Sequence, residues 1–252
     1  YLARAGQRVS YMTRLGDDEF SSAALSRMRE EGISTGLVEI VPGALPGLYM
    51  IGNDASGERR FSYWRENSPV RDLFDVVHRL SPPTLFYFSG ITLAVTAGGL
   101  DNLLATLEYL RKQGAKTAFD PNYRPALWSD RDTARAHYES VLPLCDTVLA
   151  TQEDDAALWG IDDPVASQEL YLGTGVAEVV IKGSGLVAHA RSGETHCVRQ
   201  AEAVQAVDTT GAGDSFNAGY LCARLEGQGL DASVQRAQAL AHRSRPGARH
   251  PM

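Results

Sequence analysis

The chain has 252 residues, of which 44% are hydrophobic, and it carries a formal net charge of −7. This length and composition suit one large α/β domain with a sizeable buried core, and they exclude an intrinsically disordered chain. The acidic balance argues against non-specific nucleic-acid binding, which needs a basic surface, although glycine-rich loops could still bind small phosphorylated molecules.

The first informative element in chain order is a hairpin over residues 45–67. Two strand-like runs, LPGLYMIG and ERRFSYWREN, flank the turn-rich sequence NDASG, which is typical of a β-hairpin. The period of two along a strand places Phe61, Tyr63 and Arg65 on one face. Such an appendage is either an edge decoration or a lid over an active site, and the pattern alone leaves both open.

From residue 84 onward, apolar strands and amphipathic helices alternate. The predicted strands cover 84–90, 115–120, 146–150 and 177–182. One predicted helix begins near Thr96, and two others cover about 130–142 and 153–160. This order predicts a doubly wound, mainly parallel sheet with helices on both faces. Ligands of such sheets bind beyond the carboxyl ends of the strands, so the residues that follow each strand are candidates for the site.

Several catalytic sequence templates are absent. The chain has no P-loop, no H-E-x-x-H and no G-x-S-x-G sequence. The sequence GSGLVA (183–188) matches a loose dinucleotide-binding pattern, but the following LVAHARSGETHCV indicates a second hairpin rather than a helix. We therefore interpret this match as coincidental.

The stretch DTTGAGDSFNAGYLCARL (208–225) joins a glycine-rich turn to an apolar periodic run. It could be only the capped start of a core helix, which is a common arrangement. It could also be an anion hole, in which the backbone of Gly211, Ala212 and Gly213 and the helix dipole attract a phosphate. Asp214 favours the second interpretation, because a carboxylate beside such a hole can orient a hydroxyl and accept its proton.

Cysteine usage and hydropathy bear on location. Cys145, Cys197 and Cys222 are far apart and form no C-x-x-C pair, so we expect neither a disulfide framework nor a zinc site, and a reducing cytoplasm fits best. No apolar run approaches the roughly 18 residues of a membrane span, so we expect no membrane association. The chain begins at Tyr1 without Met, and no signal peptide is visible.

The stretch DTTGAGDSFNAGY resembles the signature of the ribokinase (PfkB) family of sugar kinases. RLGDDEF (14–20) is similar to an early G-x-D-x-F element of that family. FSGITLA (88–94), FDPNYRPALW (119–128) and the hairpin resemble its 2-keto-3-deoxygluconate kinase branch, although fructokinases carry a similar D-P-N-x-R. The resemblance extends to about residue 240, and it implies a ribokinase-like α/β kinase domain over 1–240 with residues 43–68 as a β lid.

The resemblance also implies roles for individual residues. Asp214 would be the catalytic base, and Gly211, Ala212 and Gly213 would hold the transition-state oxygens of the ATP phosphates. The expected substrate-binding residues are Tyr49, Tyr63, Arg65 and Arg124. Two arginines suit a keto-acid substrate, because a guanidinium group can grip a carboxylate with two hydrogen bonds.

The expected ATP-binding residues are Asn122, Thr151, Lys182 and Gly183, and Glu153 and Asp154 are the expected magnesium ligands. The chain departs from the family here, since TQED replaces N-x-x-E and Ser184 stands where glycine is expected. Acids at the start of a helix are the simpler interpretation of Glu153 and Asp154.

The implied activity is ATP- and Mg²⁺-dependent phosphorylation of a sugar acid, namely of 2-keto-3-deoxygluconate to its 6-phosphate. We expect no nucleic-acid or membrane partner, and we expect the protein to form a homo-oligomer. The alternatives are a fructokinase- or ribokinase-like enzyme for a neutral sugar, and a catalytically impaired sugar-binding fragment. The family's opening strand and sugar loop would precede Tyr1, and the basic sequence of 241–252 is expected to be an atypical tail.

Overall fold

The computed structural model describes residues 1–53, 59–201 and 211–243. Within these ranges the strands are β1 Val9–Leu15, β2 Ile33–Ile40, β3 Leu48–Asn53, β4 Arg59–Trp64, β5 Leu85–Ser89, β6 Lys116–Asp120, β7 Thr147–Thr151, β8 Glu178–Lys182, β9 Val187–Ser192 and β10 Thr195–Gln200. The helices are α1 Glu19–Glu30, α2 Gly90–Val95, α3 Leu100–Lys112, α4 Arg131–Val141, α5 Gln152–Trp159, α6 Pro164–Gly173, α7 Ala212–Leu225 and α8 Leu230–Arg243.

The largest sheet has six strands in the order β10-β9-β8-β7-β6-β5. Strands β5 to β8 run parallel, and β9 and β10 complete one edge as an antiparallel hairpin. The predicted mainly parallel α/β sheet is therefore confirmed. The hairpin that follows residue 183 is confirmed as well, and no helix follows the GSGLVA sequence.

Helices cover both faces of this sheet. In β7, Val148 and Ala150 belong to one buried apolar cluster and Leu149 to another, because successive side chains of a strand point to opposite faces. The first cluster includes side chains from α2 to α6, and the second includes side chains from α7 and α8. The doubly wound arrangement is thus confirmed, and it sets α7 against the opposite face from α2 to α6.

Two further strand pairs lie outside the six-stranded sheet. Strands β1 and β2 form a parallel pair with α1 between them in sequence, and β3 and β4 form an antiparallel hairpin. The hairpin is the one predicted, and its turn, residues 54–58, lies outside the described residues. The β1–β2 pair and the helices α1, α2, α6 and α8 have no counterpart among the elements predicted from the sequence pattern.

The last helix, α8, continues to Arg243, so residues 241–243 of the expected tail are helical. Ala241 packs against the apolar cluster beneath α7 and α8. Residues 244–252 lie outside the described part of the chain. Among the described residues, no helix has the length and apolar character needed to cross a membrane.

Candidate active site

The carboxyl ends of three neighbouring parallel strands place polar side chains at one edge of the sheet. Strand β6 ends at Asp120, β7 at Thr151 and β8 at Lys182, and the last two are register partners. The Thr151 hydroxyl accepts a hydrogen bond from the Asp154 backbone N–H at 3.1 Å, which caps α5. The strand ends that the sequence singled out therefore lie side by side.

A cavity of about 250 Å³ opens beside these strand ends. Its lining includes six residues expected at the site, which are Thr151, Glu153, Lys182, Gly183, Ala212 and Gly213. Leu186, Val187, Phe216 and Ala241 supply an apolar wall. Segments distant in sequence thus form one pocket with polar groups at the strand ends and an apolar interior.

The start of α7 borders this cavity. Gly211 precedes the helix with φ of 76°, a left-handed conformation that glycine adopts without strain. Asp214 lies exposed in the first turn of the helix. The N–H groups in the first turn of any helix have no partner within the helix, which suits an anion. The anion hole at this helix start stays a prediction. Asp208, Thr209 and Thr210 lie outside the described residues.

The hairpin brings together three of the four expected sugar-binding residues, Tyr49, Tyr63 and Arg65. Tyr49 and Tyr63 are directly paired between β3 and β4, with ring centroids 6.3 Å apart. The Arg65 guanidinium lies 4.3 Å from the centroid of the Tyr63 ring, which is a cation–π contact. Both tyrosines are well exposed to solvent. The hairpin therefore presents two aromatic rings and one cation as a single surface.

Arg124 and Asp154, expected to bind substrate and metal, pair with each other at 3.3 Å. Burial raises the pKa of the Asp154 carboxyl, and the positive charge of Arg124 acts in the opposite direction. In the described part of the chain, no group of three or more His, Cys, Asp or Glu side chains could hold a metal. Glu153 lines the cavity, whereas Asp154 is not among its lining residues.

Asn122 is not among the cavity-lining residues. It has φ of 36°, and its buried Oδ1 has no hydrogen-bond partner among the described residues. Asparagine is one of the few residues with a side chain that tolerates this conformation. The geometry thus accounts for an asparagine at this turn but does not bring it to the cavity.

Two polar residues beside the site, Asn217 and Tyr87, were not predicted from the sequence. Asn217 in α7 donates to Asp120 Oδ2 at 2.8 Å and to the Tyr87 hydroxyl at 3.1 Å. Lys182 Nζ donates to Asn217 Oδ1 at 2.9 Å. Burial, and next the charge of Asp120, raises the pKa of Tyr87 well above its usual value. An asparagine beside Phe216 in an otherwise apolar helix stripe was the available sequence signal.

The chain matches the sequence profile of the pfkB family carbohydrate kinases over residues 1–248. The chain belongs to this family. The pfkB resemblance noted from the GAGD stretch, the hairpin and the DPNYR sequence is therefore confirmed.

Similar proteins carry a more specific name. The chain is 37% identical to the 2-dehydro-3-deoxygluconokinase of Dickeya dadantii over 243 residues, which cover 90% of the chain and 77% of that protein. It is 35% identical to the enzyme of the same name from Escherichia coli K12, covering 94% of the chain and 81% of the relative. 2-Dehydro-3-deoxygluconate is another name for 2-keto-3-deoxygluconate.

A solved pfkB-like structure shares the fold. The crystal structure of 2-dehydro-3-deoxygluconokinase from Thermotoga maritima aligns with a TM-score of 0.85, covering 98% of the chain and 81% of that structure at 23% identity. The predicted ribokinase-like fold is confirmed by this likeness.

Proposed function

We propose that this pfkB-family chain phosphorylates a sugar acid with ATP, converting 2-keto-3-deoxygluconate to its 6-phosphate. The observation that carries the proposal is the position of α7. Its glycine-rich start lines the cavity together with Thr151, Lys182 and Gly183, while Asp214 lies in its first turn. The names of the 33–37% identical relatives support the choice of a sugar acid.

The proposed chemistry is a direct transfer between two oxygens. The Asp214 carboxylate takes the proton of the primary hydroxyl while that oxygen bonds to the γ-phosphorus. The bond from the γ-phosphorus to the bridging oxygen breaks, and ADP leaves with its electron pair. The first-turn N–H groups of α7 stabilise the charge on the moving phosphoryl oxygens, which is a large catalytic effect in a preorganised site.

The nucleotide would occupy the cavity described above. Its apolar wall, with Leu186, Val187 and Phe216, suits a flat base, and its polar end, with Lys182, suits phosphates. Mg²⁺ keeps several waters and binds through one or two carboxylates and the substrate phosphates. Glu153 is the carboxylate at the cavity that fits this role. The ion would neutralise phosphate charge during the transfer.

Arg65 is the group that would recognise the sugar carboxylate, with Tyr49 and Tyr63 beside it. A guanidinium on an aromatic ring is a preorganised partner for a carboxylate. Arg124 would contribute only if its pair with Asp154 opens or is shared. The hairpin is thus proposed to be a lid that closes on the sugar and excludes water.

The test is a coupled ATP assay with 2-keto-3-deoxygluconate, fructose and ribose, comparing the wild type with Arg65→Met. We expect the sugar acid to have the highest kcat/KM. We expect Arg65→Met to raise KM for the sugar acid by roughly tenfold or more, since a charge-assisted hydrogen bond is lost. The matched control is Arg79→Met, which removes another aromatic-stacked arginine, above Tyr109 and away from the hairpin.

A neutral-sugar kinase is the second candidate, and the Arg124–Asp154 pair favours it. Because Arg124 already contacts a carboxylate of the protein, Arg65 on the hairpin is the one expected arginine left to bind a substrate carboxylate. Higher kcat/KM with fructose or ribose than with the sugar acid would replace our proposal with this one. A chain that binds sugar but transfers no phosphate would instead support the impaired binding fragment.

A cytoplasmic location and a homo-oligomeric state are part of the same proposal. The three cysteines are free thiols, as suits a reducing compartment. Exposed apolar side chains on the hairpin, among them Met50 and Trp64, support self-association. Sedimentation velocity over a range of protein concentrations would test the homo-oligomeric state, and a monomer at every concentration would contradict it.

A further inference from the structure

Asn217 is a buried polar residue in the proposed catalytic helix. It lies three residues after Asp214 in α7, about one helical turn further along, and it is 1% exposed. A buried amide is costly unless it is fully hydrogen-bonded. Its partners therefore indicate why this position of the helix is polar.

The partners of Asn217 fix the orientation of its amide. The nitrogen donates to the Asp120 carboxylate at 2.8 Å, and the oxygen accepts from the Lys182 ammonium at 2.9 Å. A carboxylate can only accept and an ammonium can only donate, so the opposite orientation would lose both bonds. The Tyr87 hydroxyl, which contacts both Asn217 and Asp120, completes the cluster.

The neutral amide stands between two opposite charges. Asp120 is 4% exposed, and attraction between unit charges strengthens as water is excluded. Lysine has a flexible four-carbon side chain that readily follows such an attraction. Without the amide, Lys182 would be drawn towards Asp120 and away from the cavity that it lines with Gly183, Ala212 and Gly213.

We infer that Asn217 is a positioning residue that separates Lys182 from Asp120 and holds the ammonium at the wall of the nucleotide cavity. This inference rests on the proposed use of that cavity for ATP. The asparagine is required because it gives each charged neighbour a hydrogen bond while adding no charge. An aspartate there would pair with Lys182 directly and neutralise it.

The sharpest test exchanges the two side chains in the variant Asp120→Asn/Asn217→Asp. The exchange keeps the atoms, the total charge and a donor or acceptor for every bond, but it puts the carboxylate against Lys182. We expect a melting temperature close to that of the wild type. We expect the affinity for a non-hydrolysable ATP analogue with Mg²⁺, measured by calorimetry, to fall roughly tenfold or more.

Two further variants test the route through Lys182. Asn217→Ala should lower the affinity for the ATP analogue by a similar factor. Adding Asp120→Asn should restore most of that affinity, because it removes the negative charge that attracts Lys182. In a Lys182→Met background, Asn217→Ala should have no further effect, because coupled residues give non-additive changes. Tyr220→Phe is the control, since it removes a buried bond of α7 to Glu178 without contacting Lys182.

The outcomes separate this inference from the proposed function. Wild-type affinity in the exchange variant, or additive effects of Asn217→Ala and Lys182→Met, would overturn the positioning role. A wild type that binds the analogue but phosphorylates no sugar would overturn the proposed function alone. A wild type that binds no analogue would overturn both.

Discussion

Asp214 combines an exposed carboxylate with a fixed position in the first turn of α7. We expect Asp214→Asn to lower kcat by about 10²- to 10⁴-fold, which is the usual contribution of a general base. The melting temperature should change little, because the side chain is exposed. Steady-state kinetics and thermal denaturation of the same preparations would check both. Unchanged kcat would exclude Asp214 as the base.

Asp155, next to the site, has the opposite character. It is 1% exposed and accepts a hydrogen bond from the Tyr171 hydroxyl. Burial raises its pKa to about 6, so the folded state holds the proton more tightly than the unfolded state does. The free energy of unfolding contributed by this group is therefore highest below pH 4 and falls as the pH rises to about 6.

Asp155→Asn should remove this pH dependence. Between pH 4.5 and pH 7, we expect the stability of the variant relative to the wild type to rise by on the order of 2 kcal/mol. Urea unfolding at both pH values measures it. Asp132→Asn, at a side chain that is 90% exposed, serves as the control and should show no such trend. If the stability of Asp155→Asn relative to the wild type were the same at both pH values, the raised pKa would be contradicted.

At the scale of elements, the packing of α7 on α8 depends on Gly219. A Cβ built there would lie 2.9 Å from Ala237 Cα and 3.1 Å from the Arg236 carbonyl oxygen, both of them backbone atoms. We expect Gly219→Ala to lower the free energy of unfolding by roughly 1–3 kcal/mol, because the helices must move apart. Gly173→Ala, with open space at the end of α6, should be neutral or slightly stabilising. Chemical denaturation of both variants measures these changes. A Gly219→Ala variant as stable as the wild type would contradict the close approach of α7 to α8.

The sequence predicted some elements much better than others. Strands β5 to β8 carry apolar runs because both of their faces are buried, so their approximate limits were evident. Strands β1 and β2 were missed, because they are largely exposed and pair with each other across α1. Their apolar pattern is therefore weak, and the contact that stabilises them is non-local.

At the scale of the whole molecule, the cavity proposed to bind the nucleotide connects segments that are distant in sequence. Thr151, Lys182, Ala212 and Gln238 all line it, so a ligand there should stabilise the fold as a unit. ADP at about 100 times its Kd should add about 2.7 kcal/mol and raise Tm by roughly 5–10 °C. The Lys182→Met variant should show a smaller rise at the same ADP concentration. A wild type with no rise would contradict nucleotide binding in this cavity.

The sequence by itself determined the family, the alternation of strands and helices, and the residues at the start of α7. These features are local, since they depend on periodicity, on glycine at a left-handed turn and on a contiguous signature. Only the tertiary structure decided which charges meet. It paired Arg124 with Asp154 and set Asn217 between Lys182 and Asp120, because neighbouring strand ends and a helix from another part of the chain converge there.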